Sequence, residues 1–169
     1  MEEDILATIL DSWDRNNAIT IGLLRLLPDD AIDIRAAEDS PTAGELFMHM
    51  HYVRLVFVEE NAPEFGKTQP DDEWRAERDR GRIEQMLNES AKAVRNAAKH
   101  FIETAREMPR HYDHPVLMLQ HLVWHEGYHH GQIKLALKRA GRAIDDDTAG
   151  AVTWDLWMEK GIWKATTQL

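Results

Sequence analysis

The chain has 169 residues, 43% hydrophobic and 30% charged, which are ordinary proportions for a soluble globular protein of about one domain. Twenty Lys and Arg against thirty Asp and Glu leave a net charge of −10, which disfavours nucleic-acid and anionic-membrane partners. No apolar run approaches the ~20 residues that cross a bilayer, the start Met1-Glu2-Glu3-Asp4 is acidic, and cysteine is absent, so a cytoplasmic protein without thiolate ligands or disulfides is expected.

Helical periodicity dominates from the first residues. Between Glu3 and Leu27, Ile5, Ile9, Trp13, Thr20, Leu23, Leu24 and Leu27 recur at spacings of three and four, a pattern that stops before Pro28. Ser40-Pro41 and the capping-box pair Thr42 and Glu45 open a second helix that runs to about Asn61. Pro70-Asp71-Asp72-Glu73 places carboxylates where a third helix would begin, and that helix extends to about Glu107. Asp113-His114-Pro115 caps a fourth helix ending at Ala140, with Gly141 suited to a left-handed terminus. A shorter segment with Trp154, Trp157 and Trp163 reads as a fifth helix. The fold expected is all-α, an up-and-down four-helix bundle with a short additional C-terminal helix, in a single domain over residues 1–169.

Histidine is the unusual residue, with six of the nine lying between His111 and His130. His125 and His129 stand four apart on a helical stripe with Met118, Leu122, Ile133 and Ala136, so both imidazoles face the bundle interior and can reach one point in space. Two imidazoles in apolar surroundings need partners, and a metal ion serves both. His130 lies about 100° around the helix and belongs to the periphery, whereas His121, one turn earlier, is a reserve ligand. A third ligand must come from His49 or His51 on helix two, about 200° apart on a helix, and periodicity leaves the choice open. Glu45 and Gln132 are candidate acceptors for the outer ring nitrogens. Zinc, nickel, iron or manganese would suit imidazole nitrogens.

His125-Glu126-Gly127-Tyr128-His129 also satisfies HExxH, but no histidine follows His130 to complete a zincin, and no strand is available to frame a peptide. Thr42-Ala-Gly-Glu-Leu-Phe-Met-His49 and His125-Glu-Gly-Tyr-His129-His130-Gly-Gln-Ile133 instead resemble the signatures of the DinB / YfiT-like superfamily of small bacterial helical-bundle proteins, at the expected separation. The resemblance implies metal ligation by His49, His125 and His129, and among the ions suited to imidazole, zinc or nickel is the one expected. It also implies a metal-dependent S-transferase using bacillithiol, mycothiol or glutathione on a small-molecule substrate, or a related hydrolase. The alternative is a non-catalytic metal-binding or stress-response protein.

Arg54 is a possible cationic anchor for an acidic thiol, or else a solvated arginine. Gly127 and Gly131 each cost about 1 kcal/mol in a helix, which close packing against helix one or against a second subunit of a homodimer would justify. The tryptophan-rich end is core material, or a cover over the mouth of the site.

Overall fold

The computed structural model describes residues 2–66, 68–159 and 163. Four long helices, α1 (Glu2–Leu26), α2 (Ala43–Asn61), α3 (Arg80–Thr104) and α4 (Pro115–Arg139), are followed by the short α5 (Asp146–Val152) and α6 (Asp155–Met158), and a 3₁₀ turn occupies Pro63–Phe65. The protein is thus an all-helical bundle with no strand among the described residues. Both α1 and α2 pack mainly against α3 and α4, so the long connection after α1 carries α2 across the bundle. The expected fifth helix is two short ones lying against α1, and the part of that expectation covering residues 160–162 lies outside the described residues.

Helix ends follow the local chemistry. Thr42 is the N-cap of α2: its hydroxyl accepts from the Glu45 N–H at 3.2 Å, and the Glu45 carboxylate accepts from the Thr42 N–H at 2.7 Å. His114 caps α4 through Nδ1, which accepts from the Val116 N–H at 3.2 Å, with Pro115 in the first turn. Gly141 has φ +72, the left-handed conformation anticipated for it.

The third helix starts ten residues later than the Pro70 expected from the carboxylates, at Arg80. The reason lies in where those carboxylates bond. Asp72 accepts from the Trp74 N–H, and Glu77 accepts from the N–H groups of Arg78 and Asp79, so they hold turns, and Asp79 is the residue that caps the helix. Residues 68–79 therefore form an irregular segment.

Two apolar clusters fill the bundle, one including Leu24, Met48, Ile83, Leu87 and Ile133 and the other Trp13, Val58, Val94, Phe101, Met118 and Leu122. Within this apolar interior sits an ion pair with no exposed surface. Arg54 donates from Nε and Nη2 to the two oxygens of Glu126, each at 2.7 Å. Its Nη1 donates to Asn17 Oδ1 at 2.9 Å and to the Leu87 carbonyl at 2.8 Å, and the guanidinium carbon lies 5.1 Å from the Trp13 ring centroid. Asn16 Nδ2 adds a 2.8 Å bond to Glu126. Burial would raise the Glu126 carboxyl, but the charge and hydrogen bonds of Arg54 outweigh it, and the group is held below the usual carboxylate range.

Removing one member strands a buried charge. Arg54→Met alone should destabilise the protein by about 3–5 kcal/mol, and Arg54→Met with Glu126→Leu should recover most of that loss. Urea unfolding of the three proteins measures it; a double variant no more stable than the single would contradict this account.

Candidate metal centre

His49 enters from α2, and His125 and His129 from successive turns of α4. His49 and His129 are buried and His125 is half-buried. Their Nε2 atoms converge: His125 Nε2 is 3.1 Å from that of His49 and 3.0 Å from that of His129, and one ring nitrogen of each lies within 4.8 Å of the others. Ligand nitrogens bound to one zinc at about 2.0–2.1 Å sit about 3 Å apart, so the spacing suits a single ion. Three imidazole edges facing one another also need a cation more than they need each other, since shared protons cannot satisfy every pair.

The outer nitrogens determine which inner nitrogens offer a lone pair. His129 Nδ1–H donates to Gln132 Oε1 at 2.7 Å, which leaves Nε2 unprotonated and turned inward. The amide is oriented by its other end, where Gln132 Nε2 donates to the Tyr128 hydroxyl at 3.3 Å. His49 is held differently. The Trp74 ring lies parallel to it at 4.2 Å with 3° between planes, and Glu73 Oε1 comes within 3.0 Å of His49 Nδ1 without forming an aligned hydrogen bond. His125 Nδ1 is buried without a hydrogen-bond partner.

Electrostatics keep these rings neutral near pH 7. Burial first, and then the neighbouring His129 and His125, push His49 down to about 4. Burial and then His129 push His125 down to about 4, and burial lowers His129 against the opposing bond to Gln132. Neutral imidazole is the form that ligates a metal.

The remaining histidines are sorted by what they touch. His51 is 5% exposed, lies near the Met86 carbonyl and Glu89 of α3, and has no part in the cluster, so the tertiary structure separates it from His49 where periodicity does not. His121 Nδ1 meets the Tyr112 hydroxyl at 2.6 Å and does not join the three. His130 Nε2 lies 3.0 Å from Thr20 Oγ1, and that oxygen is 3.2 Å from Glu126.

Two expectations change. Glu45 is occupied in the α2 cap, and of the two candidate acceptors only Gln132 reaches a ring of the cluster. Arg54 is neither a solvated residue nor an anchor at the mouth, because Glu126 and the core enclose it. Glu126, the glutamate of HExxH, points to Arg54 and is unavailable as a base. Sequence reading missed Glu73 and Trp74; the only signal was a tryptophan amid the charges of Asp72-Glu73-Trp74-Arg75. Trp154 and Trp163 contact Lys134, Arg15 and Asp11 instead of the three histidines.

The model of the DinB family matches residues 1–161. The chain belongs to the DinB family. No curated protein and no solved structure matches it. For this DinB-family chain, both helices that carried the resemblance meet at the cluster, α2 through His49 and α4 through His125 and His129.

Gln132→Ala removes the acceptor that sets the His129 tautomer while leaving all three rings in place. Metal affinity should fall by about tenfold or more, measured by competition with a chromophoric chelator, with the thermal midpoint of the metal-free protein little changed. Unaltered affinity would show that Gln132 does not orient the ring.

Proposed function

We propose that this DinB-family protein is a metal-dependent enzyme whose His49, His125 and His129 hold one divalent ion, zinc or nickel, and that it joins a low-molecular-weight thiol to an electrophilic small molecule. The thiol is bacillithiol, mycothiol or glutathione, and a related hydrolytic reaction uses water in place of the thiol. The observation that carries the reading is the open donor set: three neutral imidazoles converge, and among the described residues no fourth histidine or carboxylate joins them. Such a set leaves room for an exogenous ligand.

A divalent ion held there by His49, His125 and His129 would supply Lewis acidity, lowering the pKa of a thiol or of water toward neutrality. The chain's own residues prepare the place for it. Gln132 holds His129 in the tautomer that presents Nε2, and the parallel Trp74 ring restricts His49 to one plane. Glu126 keeps α4 in register through Arg54, and takes no proton in the reaction. The absence of cysteine means that the sulfur comes from outside the chain.

Metal analysis of purified protein should find about one ion per chain. His49→Ala and His125→Ala should lose it, and His51→Ala should retain it. Equal metal content in all of them would dismiss the centre. With metal present, bromobutane or styrene oxide offered with each thiol should yield an adduct that a chelator abolishes. No chelator-sensitive adduct or hydrolysis would favour a structural or sensory metal site instead.

A homodimer belongs to the same reading. Trp124, 68% exposed, lies on the outer face of α4 with Leu117, Tyr128 and Leu135, and a Cβ added at Gly127 or Gly131 meets nothing within 4 Å. Packing against α1 therefore does not account for these glycines, while a second α4 approaching this face would. Light scattering should give a dimer mass that Trp124→Glu converts to a monomer; a monomeric parent protein would refute it.

A further inference from the structure

A cavity of about 610 Å³ is lined by α2, α3, the 3₁₀ turn and parts of the 68–79 segment, and none of the three clustered histidines contributes to it. Pockets for small molecules commonly measure about 300–1,000 Å³, so the space is of ligand size. Its walls are divided in character. Leu55, Phe65 and Met86 supply an apolar interior, and Arg75 and Lys92 bring two cationic side chains.

Charge decides the kind of occupant. Against a net charge of −10, two cations at one cavity are a local reversal. The carboxylate among the lining residues, Glu89, accepts from Gln85 Nε2 at 3.1 Å. Arg75 reaches Glu77 only at 3.5 Å and remains 39% exposed, and Lys92 has no carboxylate within ion-pair distance among the described residues. His51 also lines the cavity, buried beside the Met86 carbonyl, with no aligned hydrogen bond to its Nδ1. A buried ring nitrogen without an aligned partner is an uncommon feature of a core and a usual one in a site that awaits a polar partner.

We propose that this cavity binds a small amphipathic anion of the medium-chain carboxylate class, its acid group between Arg75 and Lys92 and its chain among Leu55, Phe65 and Met86. The site is separate from the thiol reaction and does not depend on it.

Calorimetric titration of the whole protein with octanoate tests the assignment, in chelator-treated and metal-loaded samples, with octanamide as the uncharged match. Octanoate should bind saturably at one site, equally in both samples, and octanamide at least about tenfold more weakly. Arg75→Gln and Lys92→Gln should each weaken octanoate by about threefold. Ala93→Leu, which fills a buried wall, should weaken both compounds. Because Lys92 is exposed, its substitution keeps the test valid even where the Ala93 variant folds poorly. Absence of saturable binding, equal affinity for octanamide, or indifference to both cation substitutions would overturn the proposal. Binding confined to the metal-loaded protein would place the carboxylate on the metal and overturn it equally.

Discussion

The bidentate contact between Arg54 and Glu126 is the constraint around which the bundle is arranged. Two charges without exposed surface would be costly in an apolar interior, and the arrangement is tolerable only because each donor and acceptor finds a partner. Those partners come from every long helix: Asn16 and Asn17 on α1, Arg54 on α2, the Leu87 carbonyl on α3 and Glu126 on α4. A hydrophobic contact tolerates sliding by a fraction of a turn, whereas this network does not, because a shift of any one helix leaves a buried polar group unpaired.

That rigidity is what aims the three-histidine cluster. Glu126 immediately follows His125 and lies three residues before His129, so fixing its direction fixes the rotation of α4. Arg54 does the same for α2, five residues beyond His49. The ion pair and the imidazole cluster are thus joint consequences of one helix orientation, with Glu126 and His129, three residues apart, on neighbouring parts of the buried face of α4. His130 and Thr20 extend the network at its margin. The 68–79 segment completes the arrangement, since its Glu73 and Trp74 meet His49 on α2.

The same segment shows how carboxylate-rich sequence can be misread. Pro70 followed by three acidic residues has the composition of a helix N-terminus, and a local reading starts α3 there. In the folded chain Asp72 and Glu77 spend their oxygens on turn N–H groups, and the backbone stays irregular far enough to reach His49. Local composition is equally consistent with both outcomes, and only the neighbouring helix decides between them.

Sequence alone determined the all-helical class, the caps at Thr42 and His114, the left-handed Gly141, and the meeting of His125 with His129, because each depends on spacing or on bonds within a few residues. Resemblance to known proteins, not periodicity, separated His49 from His51. Tertiary structure decided the rest. It brought His49 to the pair and buried His51 against α3, turned Arg54 inward, assigned Glu126 to an ion pair in place of base chemistry, and laid Trp74 on the His49 ring. All of these are contacts between residues distant in the chain, and a helical repeat specifies which face a residue occupies without specifying what that face will meet.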